Sequence, residues 1–554
     1  MTGSSINIDV SSEHDPSSLE NRVPPLGMTG EQFKYAAAGV IQQIEQYYSG
    51  LSSRPVLPSI APGYLRKLLP SEPPKQGETW QEIEKDIERI IMPGITHWQH
   101  PKFMAFFPAN STYPSMLGEL WSAALTAPAF NWICSPAVTE LETVVLDWLA
   151  QILALPSAFQ SSGQGGGVIQ GSASEAVLSV MIAARERYIR RQSEREGITD
   201  PEEVEDRAYE LRAKLVALAS DQTHSSTKKA ANIAGTRFRS IPTEKSRAYA
   251  LTGENLRAKI QEVEAKGLRP YYLTVSIGTT NTCAVDDLVS IAEVARDYPD
   301  IWIHCDAAYA GAALVLPEYQ HLSRQLEMVD SFDMNMHKWL LTNFDASCLF
   351  LQKRRDLIDA LSVSPEYLRN QFTDGGLVTD YRDWQIPLGR RFRSLKIWFV
   401  LRTWGVEGLQ RHLRRHIKLG GTFANWIQSR PDLFSILTPP VFALTVFTVN
   451  PSSKIRHRLG SGVNGTDPRP YQDQHVPSDQ PANDAELQRA NEITKEVFTI
   501  IDEEKDFFLT STVVGGTYAI RLVSANPLTE EKYLREVFEK LVVTAERAQY
   551  KDSC

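Results

Sequence analysis

Near the start of the chain, apolar side chains recur at three- and four-residue steps in two places. Phe33, Ala36, Ala37, Val40, Ile41 and Ile44 predict an amphipathic helix from about Thr29, and Trp80, Ile83, Ile87, Ile90 and Ile91 a second over 79–92. Two short helices cannot bury such faces alone, so they need the main body or a neighbouring subunit. From 115 to 396 the pattern becomes an alternation. Helical periodicity covers roughly 117–125, 139–153, 174–191, 201–214, 253–266, 287–297 and 394–403, and short apolar runs lie at 214–219, 271–277, 301–305, 331–335 and 347–351. Runs of that length between helices read as strands of a largely parallel, buried sheet, an α/β layer architecture. A long helix over 405–430, strands at 441–449 and 518–523 and a closing helix over 529–549 predict a smaller α+β domain.

The expected organisation is therefore a polar, disordered leader (1–26), a helical dimerisation segment (27–114), a large domain (115–396) and a small C-terminal domain (397–554). Within the last, residues 451–483 hold five prolines and read as a flexible surface insertion.

Composition narrows the function classes. A chain of 554 residues with 42% hydrophobic and 23% charged content has ample material for a large globular core. With 58 basic and 67 acidic residues the net charge is −9, and the basic runs are short, which argues against a nucleic-acid partner. The five cysteines form no CxxC pair, so neither a disulfide scaffold nor a structural zinc module is expected. No run approaches 18 apolar residues, so no membrane span is expected. Arg22, the first Lys or Arg, follows Asp9, Glu13, Asp15 and Glu20, unlike a secretory or transit leader, and makes the cytoplasm the expected address.

Chemistry is sought beyond the carboxyl ends of the strands, where ligands of such sheets sit. Lys338 follows the apolar stretch 331–336 and precedes Trp339. It is either a lysine that snorkels to the surface or one whose pKa falls on burial, leaving a nucleophilic amine. Asp306 ends the run 301–305 and is followed by the small residues Ala307, Ala308, Ala310 and Gly311. It either caps a turn or pairs with a cationic ring nitrogen, for which the small residues leave room. The glycines 165–167 lead through Gly171 to Ser172, Ala173 and Ser174 at a helix start, which is either a plain serine cap or a phosphate seat. The stretch matches neither GxxxxGK[ST] nor GxGxxG. His224, after the run 214–219, can stack on a ring or handle protons. In this chain order the four features describe a pyridoxal phosphate site.

Five longer motifs sharpen that reading: His97-Trp98-Gln99-His100-Pro101, Ser135-Pro136-Ala137-Val138-Thr139-Glu140-Leu141-Glu142, His304-Cys305-Asp306-Ala307-Ala308-Tyr309, Asn335-Met336-His337-Lys338-Trp339 and Trp384-Gln385-Ile386-Pro387-Leu388-Gly389-Arg390-Arg391-Phe392. With them the chain resembles the group II pyridoxal-phosphate decarboxylases, specifically the aromatic-L-amino-acid decarboxylase family, over about 24–449 and 485–547. The resemblance implies the fold type I, PLP-dependent transferase-like architecture, with 115–396 as the cofactor-binding domain, and a homodimer with its active site at the subunit interface. It also implies residue roles. Lys338 matches the lysine that carries the cofactor, Asp306 the partner of the ring nitrogen and His224 the histidine stacked over the ring. Ser172, Ala173, Ser174 and Asn335 match phosphate-holding positions, and Thr280 and Ala308 match residues against the ring's other face and edge. Phe344 matches a residue reaching the neighbour's site. Tyr367 takes the place of the catalytic tyrosine on a mobile loop. In relatives, Tyr at that position with His at the stacking position goes with decarboxylation to the amine; Phe or Asn there goes with aldehyde formation.

Trp98, Phe106, Phe107 and Phe130 match the family's aromatic substrate pocket, and Gly389 matches a position where glycine leaves room for indole or catechol. Tryptophan-like substrates are thus expected, with dopa, tyrosine and phenylalanine as further candidates. Phe106 and Ala109 stand where relatives often carry hydroxyl-bearing Tyr and Thr, and Pro128 replaces a more usual aliphatic residue. Three rivals remain: an aromatic acetaldehyde synthase, an inactive scaffold of the same fold, and a metal hydrolase using His97, His100, His224 and His304. The last has no ligand spacing in its favour, and no metal site is expected.

Overall fold

The computed structural model describes residues 26–363, 371–374, 378–451 and 484–553. Tyr367, most of the leader and residues 452–483 of the insertion lie outside the described residues. By internal contacts the chain forms two units: residues 26–54 with 58–95, and residues 55–57 with 96–553.

In the first unit, Thr29 and Thr79 each head a helix with a capping box, closed by Gln32 and Glu82. The helices run Gly30–Ser49 and Trp80–Asp86, the second continuing as a π turn over Ile87–Ile91. Of the six apolar residues expected on the inner face of the first helix only Ala36 is buried, and Phe33 and Ile41 are exposed.

In the second unit, seven strands form one sheet: β1 (Gly166–Gln170), β2 (Leu215–Ser220), β3 (Arg237–Ile241), β4 (Arg269–Ser276), β5 (Trp302–Asp306), β6 (Ser331–Asn335) and β7 (Ser347–Leu351). Their order is β1-β7-β6-β5-β4-β2-β3, and only β7 runs against the others. The five runs expected as strands all appear, shifted by at most two residues. β1 and β3 were not foreseen, since glycines open the first and arginines punctuate the second. The glycines have a packing reason: a Cβ on Gly165 would overlap the carbonyl oxygens of Ala158 and Leu351.

Each face of the sheet buries its own apolar layer. Ile303, Cys305, Phe332 and Met334 point into one, while Tyr272, Trp302 and Leu349 meet Ala176, Val180 and Ala184 of the helix Ala173–Glu196 on the other. The smaller sheet, in the order β10-β11-β9-β8, is antiparallel and comprises β8 (Phe434–Ile436), β9 (Leu444–Val449), β10 (Thr510–Val514) and β11 (Thr517–Val523). The helices expected over 394–403 and 405–430 form one element, Arg393–Gln428, broken by non-helical Gly405 (φ 59°). Among the described residues no helix is long and apolar enough to cross a membrane.

Candidate active site

Because β1, β2, β4, β5 and β6 run the same way, their carboxyl ends open on one edge, where a cavity of about 240 Å³ lies. Ser172, Ala173, Ser174, His224, Thr280, Asp306, Ala308, Asn335 and Lys338 all line it. Residues scattered over 167 positions of sequence thus meet because strand ends converge.

Lys338 sits on a single helical turn, Met336–Trp339, directly after β6. The neighbouring residue Asn110 anchors that turn, accepting nothing from it but donating to the Lys338 carbonyl from its side chain. Burial lowers the lysine's pKa, opposed by the charges of Asp306 and Asp333. Asp306 ends β5 and accepts the Ala308 N–H (3.0 Å), which orients its carboxylate at the cavity edge. His224 follows β2, with Nδ1 held by Ser226 (2.8 Å to the hydroxyl, 3.2 Å to the N–H). The surrounding protein lowers its pKa, Asp306 pulls the other way, and Lys338 adds to the lowering.

Ser172 caps the helix Ala173–Glu196, whose first residues Ala173 and Ser174 line the cavity with it, at the end of the helix where backbone N–H groups lack intrahelical partners. Asn335 is buried at the end of β6, and its Oδ1 has no hydrogen-bond partner among the described residues. The apolar wall is Phe107, stacked on Tyr309 (3.8 Å), which in turn stacks on Trp339 (4.8 Å). The Lys338 ammonium lies 5.7 Å from the Phe107 ring centre.

The other expected substrate residues are not brought to this cavity. Trp98 and Phe106 stack on each other at 5.8 Å and are exposed, Phe130 is half-buried and Gly389 is exposed. Phe344, 63% exposed, contacts the His337 ring edge-on. Two contributors, Arg521 and Asp333, escaped the sequence reading, and a third, His304, stood there only within a motif and as a rival metal ligand. Arg521 on β11 donates to the carbonyls of Thr280 (2.7 Å) and Asn281 (3.0 Å) and lies over the Phe107 ring, but a lone arginine in a strand carries no signal. His304 and Asp333 form a buried pair beneath Asp306, and an acid inside the apolar run 331–335 was its available clue.

The model of the pyridoxal-dependent decarboxylase conserved domain matches residues 62–450. The chain belongs to this family. Among its relatives, the aromatic-L-amino-acid decarboxylase of Rattus norvegicus is 43% identical over 79% of this chain and 89% of its own. The phenylacetaldehyde synthase of Arabidopsis thaliana is 40% identical over 94% of this chain and 97% of its own. The crystal structure of Oryza sativa TDC with PLP and tryptamine superposes with a TM-score of 0.83 at 34% identity, covering 95% of this chain and 99% of that one. The fold is therefore fold type I and the family an aromatic amino acid decarboxylase family, with pyridoxal phosphate as its cofactor.

The cavity of this decarboxylase fits that cofactor. The helix start at Ser172–Ser174 leaves N–H groups for an anion, and a lysine of lowered pKa lines the same space as the Asp306 carboxylate.

Proposed function

We propose that the protein decarboxylates aromatic L-amino acids, tryptophan-like ones preferentially, to arylalkylamines and carbon dioxide. The observation that carries this reading is the meeting of Lys338, Asp306 and His224 at one cavity beside a helix start.

Lys338 would hold the cofactor through its ε-amine, while Ser172, Ala173, Ser174 and Asn335 would take its phosphate. Pyridoxal phosphate supplies, when bound, an electron sink for the carbanion left as carbon dioxide departs. Asp306 would keep a proton on the ring nitrogen, making that sink deeper. His224, neutral by its lowered pKa, would cover one face, with Thr280 and Ala308 against the other face and edge. The stack of Phe107, Tyr309 and Trp339 keeps water from one side, which strengthens every charge interaction within. Tyr367 would return a proton to the substrate Cα.

Retention of both His224 and Tyr367 favours amine over aldehyde. The Arabidopsis relative, a phenylacetaldehyde synthase, keeps the second reading in view: decarboxylation with oxidative deamination. We propose further that two copies of the chain complete the substrate pocket, because Trp98, Phe106 and Phe344 are exposed in one copy.

Purified protein loaded with pyridoxal phosphate is offered tryptophan, hydroxytryptophan, dopa, tyrosine, phenylalanine and histidine. Amine and carbon dioxide are followed together with ammonia and peroxide. An indole amine is expected in equal amount to carbon dioxide, with negligible histamine. Equal ammonia and peroxide in place of amine establishes the aldehyde reading; strong histidine turnover without indole product overturns the pocket argument. Lys338→Ala is expected to lower turnover by roughly 10³-fold or more and to abolish the visible band of the bound cofactor.

A further inference from the structure

Beneath Asp306 runs a polar strip that the roles above leave unused. Trp302, His304 and Asp306 share one face of β5, and Ser331, Asp333 and Asn335 the same face of β6. The register sets His304 opposite Ser331 and Asp306 opposite Asp333. Trp302, His304, Ser331 and Asp333 are almost wholly buried.

The hydrogen bonds in this strip have a direction. The Trp302 indole N–H donates to the Ser331 hydroxyl oxygen (2.8 Å), because an indole can only donate. The Ser331 hydroxyl proton is then free for His304 Nδ1, 2.9 Å away. That leaves the imidazole proton on Nε2, which donates to Asp333 Oδ1 (3.0 Å). The other Asp333 oxygen is buried and has no hydrogen-bond partner among the described residues. A half-satisfied carboxylate one strand away from Asp306 costs stability that an amide or an apolar residue would not.

We infer that Asp333, oriented by His304, is a positioning residue that sets a second carboxylate behind Asp306 and so governs how firmly the cofactor's ring nitrogen keeps its proton. The inference rests on the reading of Asp306 as that nitrogen's partner. The groups facing Asp333 are His304 and Asp306 from β5, Tyr272 from β4 and Lys338 from the turn after β6, while Cys305 and Cys348, on the other face of the sheet, feel its charge through the backbone layer. The covering helix Ala173–Glu196 sets Arg187 over the Trp302 ring at 4.3 Å. Burial and the Asp306 charge push the Asp333 carboxyl up to about 6, while His304 and Lys338 pull it down. Near neutrality it is ionised, and its negative potential holds the ring proton to higher pH. In mild acid it takes up a proton and that support is withdrawn.

Asp333→Asn keeps the shape and removes the charge. In the holoenzyme, the pH titration of the bound cofactor's visible absorbance is expected to move about one unit toward lower pH. Turnover should fall roughly three- to tenfold with KM within about twofold and the cofactor still bound. His304→Leu leaves Asp333 buried without its donor, so that it takes up a proton. It should give the same shift, with the double variant adding nothing further. His304→Gln retains a side-chain N–H and should restore most of the wild-type titration. An unmoved titration in both Asp333→Asn and His304→Leu, with Asp306→Asn displaced, overturns the inference alone. An unmoved titration in Asp306→Asn overturns the reading of Asp306 beneath it. Should Asp333→Asn fail to fold, Ser331→Ala frees the His304 proton without touching either carboxylate. A smaller shift in the same direction supports the inference, and none overturns it.

Discussion

Burial leaves His337 and His412 with pKa values of about 3, so both stay neutral in the folded protein where an unfolded chain would protonate them. Desolvation is the main cause for each; Lys338 adds to it at His337 and Arg415 at His412. Between pH 6.5 and 3 the unfolded chain binds more protons than the folded one, so stability rises with pH. The contribution is complete above about 6.5 and is lost progressively as pH falls toward 3. Thermal melts from pH 7 to 4.5 should therefore show a smaller acid loss for His412→Gln than for the wild-type protein, and identical slopes would contradict this. At this scale the sequence set Lys338, Asp306 and His224 at or beyond strand ends, because a polar residue after an apolar run announces one, and only their combination pointed to a shared site. It was silent on Arg521, whose carbonyl and ring partners are brought to it only by folding.

Elements were legible where their periodicity was strong and their ends carried caps. A helix was expected over 117–125 from its apolar residues; it begins four residues earlier, as Tyr113–Leu125, and the structure reverses the usual use of such a helix. Its small residues Ser115, Gly118 and Ser122 face inward, while Leu117, Leu120, Trp121 and Leu125 are exposed. Gly118 lets the helix lie close against Arg393–Gln428, since a Cβ there would come within 2.5 Å of the Lys396 Cα. Gly118→Val should lower stability by about 1–3 kcal/mol in urea denaturation. Gly421→Ala, in the helix Arg393–Gln428 with nothing within 4 Å of the added carbon, should be neutral or stabilising by up to about 1 kcal/mol. Equal losses at both positions would refute the close-approach argument.

On the scale of the whole molecule, the exposed row of Leu117, Leu120, Trp121 and Leu125 is the kind of surface that a second copy covers. Trp121→Glu places a charge in that row. Sedimentation should then show the variant as a monomer, and amine formation should fall at least about tenfold in parallel, because the aromatic pocket is left incomplete. A dimeric Trp121→Glu protein with full activity would remove this row from the interface.

The pattern along the chain was enough to establish an α/β architecture, five of the seven strands of the large sheet with β1 and β3 missed, and the four chemical groups that point to pyridoxal phosphate. Those features depend on local periodicity and on which residue follows each strand. The tertiary structure alone decided that β7 runs against its neighbours, that Phe107, unlike Trp98, Phe106 and Phe130, lines the cavity, and that Asp333 stands opposite Asp306. Strand direction, register and convergence arise from contacts between segments far apart in sequence, and no single segment encodes them.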